Sequence, residues 1–200
     1  MIWTNNDGKY QARHDTIITP IKQWLGHVEG EYWTLAGMQV DENGQKNSGS
    51  EIEQLLAAGV LTEDQFFGVD YDKDIIEANR KAYPNANWFC GDFFNVLTAN
   101  ADDVSFINFD SMNQPRIALQ TAIDLLFCVE EGIVIANMLT KYRNQTLLDV
   151  SQIGSVIEQI PSWEVIPPQW QCLPEVYTYH SRRSEMTTVT FTTQSAGTVL

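Results

Sequence analysis

The chain has little positive charge: 12 Lys and Arg stand against 26 Asp and Glu, a formal net charge of −14. So acidic a surface excludes general electrostatic binding to DNA, RNA or anionic membrane, while leaving room for a local basic patch. Long apolar runs are missing too. No stretch reaches the roughly 18 residues that a membrane helix needs, so none is expected. The opening Met-Ile-Trp-Thr-Asn-Asn-Asp-Gly-Lys has neither a basic n-region nor an apolar h-region, and no signal peptide is expected. Cysteine is sparse. Cys90, Cys128 and Cys172 are odd in number and scattered, which excludes a disulfide framework and a cysteine metal site. Cys90 and Cys128 lie in apolar surroundings and read as buried thiols, with a reducing cytoplasm as the natural compartment. There is no Gly-x-Gly-x-x-Gly and no Gly-x-x-x-x-Gly-Lys-Ser/Thr, which weighs against a nicotinamide dinucleotide and a nucleoside triphosphatase. His14, His27 and His180 fit no nucleophile triad and no metal-ligand spacing.

What is present suffices for a folded core. Apolar residues make up 44% of 200 positions, with 6 Trp, 7 Tyr and 9 Phe, and no repeat or low-complexity tract interrupts them. Residues 1–14 read as a polar arm. Thr19-Pro20 reads as a cap followed by proline at the first helical position, opening a short helix with Ile21, Trp24 and Leu25 inward. Strands are expected at 32–38, 66–69, 88–90, 104–109 and 132–138. A polar loop spans 40–49. Ser50-Glu51-Ile52-Glu53 reads as a capping box whose helix stops near Gly59. Helical spacing marks 73–83, 116–129 and 146–160. A proline-rich connection over 161–174 leads to a β-hairpin at 176–180 and 186–193. Alternating strands and helices imply an α/β fold with a mostly parallel sheet covered on both faces, and the hairpin adds antiparallel pairing at the end.

Two apolar runs end abruptly in carboxylates, at Asp70 and Asp92, with a helix between them. Neighbouring parallel strands would place both acids at the carboxyl edge of the sheet, where open α/β folds bind ligands. A carboxylate accepts hydrogen bonds from two ribose hydroxyls at once, and a second one accepts from an adenine amino group. The pair therefore points to a nucleoside-containing ligand. The alternative is that each acid caps the helix that follows it.

From 32 to 193 the pattern resembles the class I S-adenosylmethionine-dependent methyltransferases, whose Rossmann-like, doubly wound, seven-stranded sheet ends in an antiparallel strand. Gly68-Val69-Asp70-Tyr71-Asp72 is similar to that family's second-strand motif, and Gly91-Asp92-Phe93 to its third. The resemblance implies that Asp70 holds the cofactor ribose, Asp92 accepts from the adenine amino group, and Phe93 and Tyr71 flank the ring. The usual glycine-rich turn after the first strand is replaced by Leu35-Ala36-Gly37, a long loop and Ser48-Gly49-Ser50. That spacing is faintly similar to the three-Cys-motif partner methyltransferases. Gly37, Gly49 and Ser50 would then cradle the methionine end, since glycines let backbone approach and a helix N-terminus offers free N–H groups; an ordinary loop is the alternative. The resemblance implies one methyltransferase-like α/β domain over 32–200, with 1–31 as an N-terminal arm and short helix.

In that family the acceptor lies at the ends of the fourth and fifth strands, here Asp110 and Asn137. Asp110-Ser111-Met112 lacks the prolines of the amino-methylating DNA enzymes. Ile135-Ala136-Asn137-Met138 is faintly similar to a catechol-type motif, but Ala136 replaces one acid. Too few oxygen ligands remain for a hard cation, and no metal is expected. Asp110 is the candidate general base, with helix capping as its alternative role. After Asp110 the basic residues are Arg116, Lys141, Arg143, Arg182 and Arg183. On this topology they rim the acceptor side, where Lys141, Arg143, Arg182 and Arg183 would meet an anionic substrate; offsetting nearby acids such as Glu185 is the alternative. The expected function is methyl transfer from S-adenosylmethionine to a polar or anionic acceptor, nucleic acid being one candidate. The alternative is a binding or scaffold protein that keeps the fold and the cofactor site without turnover.

Overall fold

The computed structural model describes residues 11–40, 46–48, 50–110, 114–170, 174–181 and 184–193. The strands are β1 (Glu31–Leu35), β2 (Met38–Val40), β3 (Lys46–Ser48), β4 (Phe66–Asp70), β5 (Asn87–Cys90), β6 (Val104–Asp110), β7 (Ile133–Tyr142), β8 (Gln145–Thr146), β9 (Glu175–Ser181) and β10 (Ser184–Thr192). The α-helices are α1 (Ser50–Ala58), α2 (Lys73–Ala82), α3 (Phe93–Asn100), α4 (Pro115–Leu125) and α5 (Ile153–Glu158). The main sheet runs β5-β4-β1-β6-β7-β10-β9, with β8 paired to β7 off this path, so the expected Rossmann-like α/β fold is present. Two compact units divide the chain, Met1–Phe106 and Ile107–Leu200.

In the first unit β1 pairs in parallel with β4, and β4 with β5. Alternate side chains of β1 build two aromatic ladders, as the period of two in a strand requires. Tyr32 stacks on Phe66 and Phe106 at centroid distances of 5.5 and 4.8 Å. Trp33 stacks on Phe67 and Phe89 at 4.7 and 5.8 Å. Such pairs add to the area they bury. Both rings of β1 are fully buried, so the strand reads as a continuous apolar run rather than an alternating one. Gly68 lies opposite Trp88 in the register. A Cβ at Gly68 would stand 2.3 Å from the Trp88 ring, which is buried and fixed by its Nε1–H donating to the Tyr83 carbonyl at 2.9 Å. Gly68→Ala is expected to cost about 1–3 kcal/mol as an overpacked core, measured as a lower urea midpoint at unchanged slope.

In the second unit β10 pairs antiparallel with both β7 and β9, which is the expected hairpin. Pro115 stands in the first turn of α4, where its missing N–H costs nothing. Trp170 is buried, and its Nε1–H donates to the Val129 carbonyl at 3.2 Å, so the proline-rich connection is packed through that ring.

Several expected elements differ. Residues 11–25 are helical, and Thr19 sits within them at φ −62°, ψ −49°, so Thr19 is not an N-cap. Pro20 is accommodated between two π-turns, His14–Ile18 and Ile21–Leu25; wider turns suit a residue that has no N–H and clashes with the carbonyl four positions back. Ile21 is buried as expected. The loop over 40–49 instead contributes to a two-stranded ribbon, with Met38 opposite Ser48 and Val40 opposite Lys46. The expected helix over 146–160 is shorter, because Thr146 belongs to β8 and a 3₁₀ turn at Val150–Gln152 precedes α5. Cys90 is exposed, not buried, because it ends β5 at the edge of the sheet. Cys128 is half-buried, and Cys172 lies outside the described residues. No described helix is long and apolar enough to cross a membrane.

Candidate functional site

Asp70 ends β4 opposite Cys90, the last residue of β5, and Asp92 follows two residues beyond that strand; the surroundings of the two acids separate the two readings of each. Asp70 Oδ1 accepts from the Asp72 backbone N–H at 2.8 Å in a local turn. Asp72 is the residue that caps α2, its carboxylate accepting from the Asp74 N–H at 2.9 Å. Asp70 is therefore not the cap. Asp92 does cap α3, with Oδ1 accepting from the Asn95 N–H at 3.0 Å. Its Oδ2 accepts from the Tyr71 hydroxyl at 2.5 Å.

Three contacts tie the two strand ends together. The Gly91 N–H donates to the Asp70 carbonyl at 3.0 Å, the Cys90 thiol to the Tyr71 carbonyl at 3.4 Å, and the Tyr71 hydroxyl to Asp92. Tyr71 is 71% exposed, so its ring bridges the two loops from the solvent side. The Tyr71 hydrogen bond, followed by the backbone N–H of Asn95, holds the Asp92 carboxyl below the usual carboxylate range. The same bond raises the Tyr71 phenol above its ordinary value. Phe93, expected to pack on a ligand ring, is 5% exposed, whereas Phe94 is 39% exposed.

At the end of β1 the Gly37 carbonyl accepts from Asn79 Nδ2 at 2.9 Å, and the Ala36 N–H donates to the Val69 carbonyl at 2.8 Å. Asn79 is fully buried and also donates to the Ile75 carbonyl at 2.8 Å. It fastens the turn after β1 to α2. Sequence reasoning missed this residue, although a carboxamide four residues after Ile75 on an otherwise apolar helix face was a signal. The β2–β3 ribbon returns the chain to its starting point, so that α1 opens beside the end of β1 despite the long insertion. Ser50 begins α1; its hydroxyl, on which the capping box rests, and Gly49 lie outside the described residues. In the first turn of α1, Glu51 accepts from the Tyr32 hydroxyl at 2.9 Å and pairs with Arg13 at 3.5 Å, which fixes the N-terminal helical segment to α1. One turn on, the buried Gln54 carboxamide has no hydrogen-bond partner among the described residues. Such a group costs about 1–3 kcal/mol.

In the second unit Asp110 ends β6 and is half-buried. Asn137 is 8% exposed; its Nδ2–H donates to Asn108 Oδ1 at 2.8 Å, and its Oδ1 accepts from the Thr188 hydroxyl at 2.6 Å. Lys141 and Arg143 are exposed on the β7–β8 hairpin, and neither forms an ion pair among the described residues. Lys141 stands opposite Glu185 in the register, yet Glu185 Oε1 instead accepts from the Thr140 hydroxyl at 3.3 Å. Arg143 turns the hairpin at φ 53° with its guanidinium 5.2 Å from the Tyr142 ring centre. Arg116 is tied to Gln159 Oε1 at 3.0 Å. Arg182 and Arg183 lie outside the described residues.

No protein-family model matches the sequence, and no curated protein matches it. Solved structures do match in fold. The structure of TrmN from Thermus thermophilus aligns at a TM-score of 0.54 and 10% identity, over 88% of this chain and 47% of that one. The chain thus spans about half the length of TrmN. The N-methyltransferase NodS from Bradyrhizobium japonicum WM9 aligns at 0.53 and 11% identity, over 94% and 99%. The delta-N METTL16 MTase domain aligns at 0.51 and 9% identity, over 91% and 82%. The strand order, the antiparallel hairpin and these likenesses together identify the chain as having the Rossmann-like class I methyltransferase fold.

Proposed function

We propose that the protein binds S-adenosylmethionine and transfers its methyl group to a polar or anionic acceptor, with nucleic acid one candidate. The observation that carries this reading is the placement of Asp70 and Asp92 at adjacent parallel strand ends, with the capping of α2 delegated to Asp72. Asp70 is left to accept from the two ribose hydroxyls, and Asp92 from the adenine amino group. Tyr71 flanks the base; Phe93, expected there from the sequence, is buried, and Phe94 is the exposed ring of that turn. Gly37, Gly49 and Ser50 receive the methionine end at the start of α1, where free backbone N–H groups suit a carboxylate. The unpartnered Gln54 amide one turn further on supports a polar ligand there. The bound cofactor supplies an already activated methyl on its sulfonium. The protein's part is then to position donor and acceptor. Asp110 is the proposed general base, Asn137 holds the acceptor side, and Lys141, Arg143, Arg182 and Arg183 meet an anionic substrate. The free thiols Cys90 and Cys128 suit the reducing cytoplasm.

A second reading, a cofactor-binding scaffold without turnover, is favoured by Asn137, whose amide oxygen and nitrogen are both engaged inside the sheet. A thermal-shift titration with S-adenosylmethionine and S-adenosylhomocysteine tests the shared core of both. Each ligand is expected to raise the melting temperature with concentration, through binding linkage. Incubation with methyl-labelled S-adenosylmethionine and RNA or small anionic acceptors then separates enzyme from scaffold. Should neither ligand move the melting temperature, the cofactor site is refuted for both readings.

A further inference from the structure

Tyr71 occupies the position that the proposed ligand needs. Asp92 has two carboxylate oxygens: Oδ1 is committed to the α3 cap through Asn95, and Oδ2 accepts from the Tyr71 hydroxyl. An adenine amino group can take Oδ2 only in competition with that hydroxyl. The same side chain spans the two loops from β4 and β5, and at 71% exposure nothing encloses it. We infer that Tyr71 is a specificity latch, closed on Asp92 and released only by a purine that brings its own hydrogen-bond donor to that oxygen.

The inference rests on the cofactor reading above and adds a selection step to it. A base lacking the amino group has no hydrogen to offer Asp92 and gains nothing by displacing the phenol, so the latch discriminates against it twice. The acids nearest in the chain, Asp70 and Asp72, do not substitute. Asp72 is the cap of α2, and Asp70 accepts from the Asp72 N–H. The Cys90 thiol donates to the Tyr71 backbone carbonyl, not to its ring, so that contact holds the loop in place while the side chain swings.

Isothermal titration of wild type and Tyr71→Phe with S-adenosylhomocysteine, and with its analogue carrying hydrogen in place of the 6-amino group, tests the latch. Removing a competing hydrogen bond is expected to tighten S-adenosylhomocysteine binding about fivefold in Tyr71→Phe and to leave the analogue unchanged. In a tyrosine-labelled NMR spectrum, the wild-type Tyr71 resonance, assigned by its loss in Tyr71→Phe, is expected to move on adding S-adenosylhomocysteine. Without ligand, Asp92→Asn is expected to return the Tyr71 phenol toward its ordinary titration range; asparagine caps α3 as well as aspartate, so the fold is retained. Equal or weaker binding of S-adenosylhomocysteine to Tyr71→Phe, or an equal gain for both ligands, overturns the latch and leaves the cofactor reading standing. Failure of S-adenosylhomocysteine to bind either protein removes both.

Discussion

Asp70→Ala is expected to weaken S-adenosylhomocysteine binding by about a hundredfold or more, because two hydrogen bonds to a charged acceptor are lost together. Each such bond contributes roughly 1.5–3 kcal/mol, and about 1.4 kcal/mol is a factor of ten. The fold is expected to survive. Among the described residues it is the Asp72 N–H, in an exposed turn, that donates to Asp70. Removing one acid also relieves repulsion among Asp70, Asp72 and Asp74, which follow one another at the start of α2. Asp72→Ala is the informative contrast. It removes the α2 cap and is expected to cost about 0.5–2 kcal/mol of stability with a much smaller effect on affinity. Calorimetric titration and urea unfolding of the two variants should therefore give opposite patterns. Wild-type affinity in Asp70→Ala would refute the ribose role, whatever Asp72→Ala does.

The division of labour between Asp70 and Asp72 shows how far the sequence could be read. Gly-Val-Asp-Tyr-Asp after an apolar run marked the strand end, and β4 stops at Asp70 as that abrupt change in polarity implied. Which acid caps the helix was not legible, because Asp70 and Asp72 have the same chemistry and differ only in backbone direction. Helix α2 and the end of α1 before Gly59, at φ +67°, followed from periodicity and from glycine's freedom at positive φ. Helix α3 carried a weaker signal. Its buried residues, Phe93 and Leu97, are one turn apart, and its cap, Asp92, is legible in the sequence only as one of two readings of that acid. The β2–β3 ribbon was hidden because Lys46, Asn47 and Ser48 have turn-like polarity and carry no alternating apolar pattern. The Tyr71 bridge to Asp92 joins residues 21 positions apart, and no local pattern encodes a contact of that kind.

Asn137→Ala is expected to cost about 1–3 kcal/mol of stability, because two buried hydrogen bonds are lost and the Thr188 hydroxyl loses its acceptor. Asn108 and Thr188 are essentially inaccessible to water, at 1% and 0% exposure, and Asn137 satisfies one atom of each. Alanine removes both hydrogen bonds and leaves a void that water reaches poorly. The resemblance gives this residue a place in the chemistry, and its burial supplies a separate reason for asparagine to stand there. Asn137→Asp distinguishes the two roles by pH. Its carboxylate still accepts from the Thr188 hydroxyl. Burial, however, favours the protonated acid, so the folded chain binds its proton more tightly than the unfolded chain does. Stability of this variant relative to wild type should then be highest at low pH and fall as pH rises above the ordinary carboxylate range. Urea midpoints across that range read the slope directly. A variant whose deficit against wild type does not change with pH would mean that position 137 is open to water, and would return Asn137 to the surface where an acceptor could touch it.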